Sequence, residues 1–343
     1  MLLLGRSEPT ESSIRGGTAR TIARRFGKAM LGLVLVLALL ASVGAVYQAV
    51  ATSRAQRAQP APGVLVDVGG HRLHLACIGE GSPTVILDAA LGNMSAHWAL
   101  VQQEVARTTR VCAYDRAGLG WSEPGPGPRD AGHITSELHT LLGNAEIPGS
   151  YVMVGHSFGG LYTQLYAGRY AEQVAGVVLV ESSHPQQFTR PPDGQQNYEQ
   201  ARRLYTIAPV LAWLGVVRLF DLSAPPPGLP AGQRAQIDAW AGSTRHIATT
   251  AEEFRTGPDT MAQAGAVRGL GNRPLAVVSA GEQDPDWLAL QNELAALSTN
   301  SSHHVVDAAT HTSLVDDPGH ALVASAAIVD VVDAVRTDRP LAR

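Results

Sequence analysis

Residues 151–170 read YVMVGHSFGGLYTQLYAGRY. Tyr151–Val154 is a short apolar run of the kind a buried strand shows, and Phe158–Tyr170 reads as a helix. Between them lies Gly155-His156-Ser157-Phe158-Gly159, a G-x-S-x-G pentapeptide. A serine held on a sharp strand-to-helix turn needs a strained backbone, and flanking glycines remove the Cβ clashes. Such a turn lifts the hydroxyl above the sheet edge and aims the helix N-terminus at it. The Phe158 N–H then faces a developing oxyanion. Ser157 is therefore the candidate nucleophile. His156 reads as a packing residue, because neighbours on so tight a turn point apart. The competing reading is a glycine-rich turn that only packs a helix on a sheet.

Strands and helices alternate on both sides of this element. Val64–Val68 and Arg72–Ile78 are separated by Gly69-Gly70, a hairpin signal. Thr84–Leu87 and Val111–Tyr114 read as strands, with Ser95 as the N-cap of a helix to about Ala106. Thr135–Leu142 reads as helix and Val174–Val180 as strand. Pro274–Ser279 and His304–Asp307 are further strands, followed by helices over Trp287–Leu297 and His320–Val335. This alternation predicts an α/β chain with a mostly parallel sheet covered on both faces. The alternation lapses over about ninety residues, 182–271, between the sixth and seventh strands.

Composition removes several chemistries. The 343 residues are 45% hydrophobic and 16% charged, with a net charge of -4, so the chain is neither disordered nor built to bind nucleic acid. The single lysine, Lys28, lies outside the expected globular region. A P-loop, a Schiff-base enzyme and a Ser-Lys hydrolase all need a lysine at the site. Two cysteines are too few for a cysteine-built zinc or iron–sulfur centre. No metal or organic cofactor is expected, and the expected partner is a small-molecule substrate.

A serine hydroxyl needs a base, and the base needs an orienting acid. Asp284 follows the seventh strand in Gly281-Glu282-Gln283-Asp284-Pro285, on the sheet edge expected to carry the serine. His311 follows the last strand in Ala309-Thr310-His311-Thr312. Rivals for the acid are Glu282, Asp286 and Glu181, which ends the sixth strand. Rivals for the base are His303, His304 and His320. The order Ser157, Asp284, His311, the elbow, and the loop Tyr114-Asp115-Arg116-Ala117-Gly118-Leu119-Gly120-Trp121-Ser122 together resemble the α/β-hydrolase superfamily. The similarity is to its capped branch of esterases, proline iminopeptidases and epoxide hydrolases, and runs from about Val64 to Val335.

The resemblance implies an eight-stranded sheet with its second strand antiparallel and a helical cap. Residues 64–181 and 272–343 would form the core and 182–271 the cap. Asp115 and Arg116 would brace their loop. The third strand departs from the family pattern, with Ala89-Ala90 where His-Gly is usual. Leu91 then becomes the second oxyanion donor beside Phe158, a role that needs only its backbone N–H. Epoxide hydrolases and haloalkane dehalogenases on this fold use a carboxylate nucleophile, so Ser157 points instead to acyl transfer through an acyl-enzyme. Ester hydrolysis is the first reading. An aminopeptidase-like amidase, a C–C bond hydrolase and a non-enzymatic binding module are the alternatives. Cys77 and Cys112 would sit on neighbouring strands, paired as a disulfide or buried as two thiols.

The cap segment Leu204–Leu222 is strongly apolar, either a helix buried against the core or a lid or membrane-facing surface for lipophilic esters. Arg234, Arg245, Glu252 and Glu253 read as a solvated cap face. Pro225-Pro226-Pro227 breaks the cap helices. At the N-terminus, residues 1–28 are basic, and Ala29–Tyr47 is apolar and long enough to cross a bilayer. Residues 29–51 are expected to be an uncleaved anchor or a cleaved signal, and 52–63 a linker. The basic flank places the remainder on the extracytoplasmic side, secreted if the segment is cleaved.

Overall fold

Eight short runs rich in valine, isoleucine and leucine pair edge to edge in a computed structural model that describes residues 11–341. The strands are β1 (Val64–Asp67), β2 (Arg72–Ile78), β3 (Thr84–Asp88), β4 (Val111–Tyr114), β5 (Tyr151–His156), β6 (Val174–Val180), β7 (Leu275–Ala280) and β8 (Ser301–Val306). The helices are α1 (Glu11–Arg57), α2 (Ala99–Val105), α3 (Ala131–Asn144), α4 (Phe158–Arg169), α5 (Gly194–Trp213), α6 (Val216–Leu219), α7 (Ala231–Ala241), α8 (Thr244–Arg255), α9 (Gly257–Gly265), α10 (Pro285–Ala295), α11 (Ser313–Asp316) and α12 (Pro318–Thr337). The strand order is β1-β2-β4-β3-β5-β6-β7-β8. β2 runs antiparallel to both of its neighbours and the pairs from β4 to β8 are parallel.

The continuous apolar strands follow from this topology. Helices cover both faces, so β3 to β7 have no solvated side on which alternation would appear. One core layer joins Val85, Leu87, Val152 and Val178 to Trp98, Ile328 and Val331 from α12 and the segment leading into α2. The other joins Ile86, Met153, Val177 and Val277 to Leu138, Tyr166 and Leu294 from α3, α4 and α10. Cys77 and Cys112 face each other across β2 and β4 and are joined by a disulfide.

Three local expectations are revised. The expected linker, 52–63, is helical up to Arg57, because α1 does not end at the apolar run but continues against the chain's own helices. Gln48 is buried, donating to the Gly242 carbonyl at 2.7 Å, and the Trp121 indole donates to the Gln59 carbonyl at 2.9 Å. Ser95 does not cap an α-helix. It opens a short 3-10 turn over Ser95–Trp98, and Met94 occupies the cap position. The third concerns the stretch between β6 and β7. It folds into α5 to α9, where Glu253 is fully buried rather than solvated. The first ten residues of the basic N-terminal segment lie outside the described residues.

Candidate active site

In a parallel sheet the loops leaving the strands' C-terminal ends gather on one edge. Here that edge carries four elements: the loop after β3, the turn from β5 into α4, the residue ending β6, and the loop after β8. Ser157 sits between β5 and α4 at φ 53°, ψ -124°, a conformation that costs a non-glycine residue about 1–3 kcal/mol. The neighbouring glycines are required by close approach. A Cβ on Gly155 would lie 2.5 Å from the Gly159 carbonyl oxygen, and one on Gly159 would lie 2.3 Å from that of Asp88. Strand, turn and helix are too tightly nested for any side chain at either position.

Ser157 and His311 line one cleft of about 490 Å³, together with Leu91, Phe158, Tyr205 and Trp287. Among the described residues, no hydrogen bond of 3.5 Å or less joins the Ser157 hydroxyl to the His311 ring. His311 Nδ1 lies 3.7 Å from Glu181 Oε1. Glu181 follows β6 at φ 42° and is fully buried. Its Oε2 accepts from the Ala280 N–H at 2.7 Å, whereas Oε1 is buried with no hydrogen-bond partner. A buried carboxylate oxygen in that state calls for a donor, and a ring movement of about 1 Å brings His311 Nδ1–H within bonding range.

Asp284, the acid expected from the sequence, is exposed and does not line this cleft. Its carboxylate caps α10, accepting from the Trp287 N–H at 2.8 Å. Asp-Pro is a strong helix-start pair, and that local use directs the side chain along its own helix. The carboxylate beside His311 is Glu181, which the sequence offered only as a rival. Its signal is its place at the end of a buried strand. The other histidines lie elsewhere, His304 exposed on β8. His303 bonds Ser279 and Asn292, and His320 bonds Ser313. His156 bonds the His311 carbonyl through Nε2 at 2.9 Å, and burial lowers its pKa to about 3. A neutral imidazole that donates there anchors the loop carrying His311.

One of the donors expected for an oxyanion, the Leu91 N–H, is oriented by an ion network. Arg116 is buried and uses all five N–H bonds. Nε and Nη2 donate to the two Glu253 carboxylate oxygens at 2.8 and 3.0 Å. Nη1 donates to Asp88 Oδ1 and the Ala89 carbonyl, and Nη2 to the Ala90 carbonyl, at 2.9, 2.7 and 2.8 Å. In a trans peptide the N–H points opposite to the C=O. Holding the Ala90 carbonyl on Arg116 therefore turns the Leu91 N–H away from it. Phe158 opens α4, where the first N–H groups have no partner within the helix. Burial raises the Asp88 pKa to about 6, against the opposing pull of Arg116. His246, also on α8, bonds the Gly92 carbonyl at 2.6 Å and accepts from the Gly120 N–H at 3.3 Å. One cap helix thus fixes both ends of the loop bearing Leu91. Nothing in the spacing of Glu253 distinguished it from an exposed face, because its partner lies 137 residues away.

Asp115 accepts from the Ser95 and Trp121 N–H groups at 2.6 and 3.0 Å and lies 3.0 Å from His74. It braces its loop, as the resemblance implied. Among the described residues there is no cluster of metal-ligating side chains.

Comparison with known proteins agrees with this architecture. The alpha/beta hydrolase family matches residues 81–325. An uncharacterized protein of Schizosaccharomyces pombe is 28% identical over 309 residues, 77% of this chain and 55% of its own length. An AB hydrolase superfamily protein of Gibberella zeae is 30% identical over 29% of this chain and 33% of its own. The chain spans only about a fifth to a half of the first curated relatives it matches. Among solved structures, an epoxide hydrolase from Bacillus megaterium aligns with a TM-score of 0.61 at 15% identity, covering 78% of this chain and 99% of its own. A reconstructed ancestral haloalkane dehalogenase aligns with a TM-score of 0.59 at 17% identity, covering 78% and 99%.

Proposed function

Because the chain belongs to the α/β-hydrolase family, we propose that it is a serine hydrolase that cleaves lipophilic carboxylic esters through an acyl-enzyme, with Ser157, His311 and Glu181 as its triad. The observation that carries this reading is the shared cleft: the elbow serine and a histidine whose Nδ1 lies 3.7 Å from an otherwise unpartnered buried carboxylate oxygen. Catalytic hydrogen bonds are often long before substrate binds.

Ser157 Oγ attacks the ester carbonyl while His311 Nε2 takes its proton. Glu181 fixes the ring with Nδ1 protonated and stabilises the imidazolium that forms. The carbonyl oxygen becomes an oxyanion, which the Leu91 and Phe158 N–H groups stabilise. Collapse expels the alkoxide, which takes the proton from His311. Water, deprotonated by the same ring, then attacks the acyl-enzyme, releasing the carboxylic acid and restoring Ser157. In the same reading α1 is a membrane span, its basic flank on the cytoplasmic side and the catalytic part on the other. Apolar length and exposure support the span: Ala23–Arg57 is long and apolar enough to cross a bilayer.

The test is labelling by a fluorophosphonate together with hydrolysis of a short chromogenic ester. Folded wild-type protein takes one equivalent of label and turns over the ester, and Ser157→Ala does neither. A folded wild-type chain inert in both assays overturns the reading.

A further inference from the structure

The uncharged stretch of the cap, Leu204–Val217, is not buried against the core as a whole. Along α5, Leu204, Ile207, Val210 and Trp213 are 50–58% exposed. In and after α6, Leu219, Phe220 and Leu222 are 65–67% exposed. Seven large apolar side chains on α5, α6 and the segment that follows exceed what scattered surface residues account for, and such a patch marks an interaction surface.

What covers this surface is indicated by α1. Gly44 packs so closely on the end of α5 that a Cβ there would lie 2.3 Å from the Leu214 carbonyl oxygen. Gly215 in turn lies against the Tyr47 ring. Residues 29–47 form the apolar run, about 28 Å long at the helical rise and close to the hydrocarbon thickness of a bilayer. Gly44 is three residues from the end of that run, about 4.5 Å inside it. A helix packed at that level sits at the depth of an interfacial amphipathic helix, about 5–10 Å into the headgroup and acyl boundary. Exposed apolar side chains stand on both helices beside this contact, Val43 and Val46 on α1 and Val210 and Trp213 on α5.

Beneath this surface lies a cavity of about 620 Å³. Leu91, Asn93, Tyr205 and Thr312 line both it and the Ser157 cleft. Its lining also includes Leu204 and Leu222, themselves part of the exposed patch. The cavity therefore adjoins the Ser157 cleft on one side and reaches side chains of the exposed patch on the other.

We propose that the outer face of α5–α6 lies in the lipid leaflet that holds α1, and that the cavity beneath it draws the hydrocarbon chain of a membrane-resident acyl ester laterally from that leaflet to Ser157. This rests on the hydrolase and membrane-span readings above. The substrate class is an ester whose acyl chain is dissolved in the bilayer.

The experiment uses the full chain in phosphatidylcholine vesicles. The native cysteines are paired, so an introduced thiol is the only free one. Ile207→Cys, Val210→Cys and, on α12, Asp333→Cys each carry an environment-sensitive fluorophore, read against spin-labelled phosphatidylcholine. Quenching at 207 and 210 with none at 333 is the expected result, and no quenching at 207 and 210 overturns the proposal. In the second arm Ile207→Glu/Val210→Glu alters two exposed residues that line neither cavity. It should lower kcat/KM for a long-chain ester held in the vesicles by about tenfold or more, and that for a soluble short ester by less than about twofold. Equal loss on both esters, or loss on neither, overturns lateral access. Release of the chain from vesicles by alkaline carbonate overturns the membrane-span reading and this proposal with it. Quenching beside a Ser157 that takes no fluorophosphonate overturns the hydrolase reading and the substrate assignment, leaving the leaflet contact standing.

Discussion

Replacing Glu181 by Gln decides between the proposed triad acid and Asp284, the acid expected from the sequence. The side chain keeps its size, and its amide oxygen still accepts from the Ala280 N–H, now bonded at 2.7 Å. What is lost is the negative charge 3.7 Å from His311 Nδ1. In the transition state that nitrogen belongs to an imidazolium. At an effective dielectric of about 20 the lost attraction is about 4.5 kcal/mol, or about two-thousandfold in rate. With its oxygen kept on Ala280, the amide places its NH2 where Oε1 faced His311 and selects the wrong tautomer, a further loss. The corresponding change in a serine protease lowers kcat by about ten-thousandfold. Asp284→Asn should change kcat/KM by less than about twofold and leave stability nearly unaltered, since asparagine caps helices as well as aspartate does. Both variants are assayed on a short soluble ester, with circular dichroism reporting the fold. If Asp284→Asn costs a hundredfold or more while Glu181→Gln stays near wild type, the assignment of the acid to Glu181 is wrong.

Glu253→Gln should destabilise the protein by about 3–5 kcal/mol, because it removes one partner of a buried guanidinium and leaves the charge under-compensated. A urea midpoint unchanged from wild type would show that the Arg116 network is not coupled to folding. Stability should also fall on acidification. Burial lowers the pKa of His97 to about 4 and of His156 to about 3. The unfolded chain takes up these protons below about pH 6.5 while the native chain refuses them, so stability present above that pH is lost as pH falls toward 4. His156→Asn should flatten the slope of Tm against pH, and an unchanged slope would refute the assignment. Denatured protein without reductant should show no titratable thiol. Cys77→Ala/Cys112→Ala should lose about 4 kcal/mol, the loop-entropy value for a separation of 35 residues, and two free thiols in the wild type would refute the pairing.

The local rules that determine the sheet and the elbow act within a few residues, and that is why they were legible without coordinates. Buried strands must be apolar throughout, and a serine at positive φ needs glycines at Gly155 and Gly159 that no side chain can replace. The placement of His311 was legible for a related reason: the loop after the last strand can only emerge on the edge that carries the elbow. The carboxylate that lies beside it was not. Glu181 and Asp284 both leave strand ends on that edge, and only packing shows Asp284 capping its own helix while Glu181 turns inward, buried beside His311. Glu253 lay beyond sequence reasoning altogether. Helical spacing gave it an exposed face, but folding brings α8 onto Arg116 from 137 residues away, and the identity of a charge's partner is a property of tertiary contact. The same holds for α1. Its sequence predicts an apolar helix of membrane length, whereas the continuation to Arg57 and the contact of Gly44 with Leu214 depend on a surface that exists only once the cap has folded.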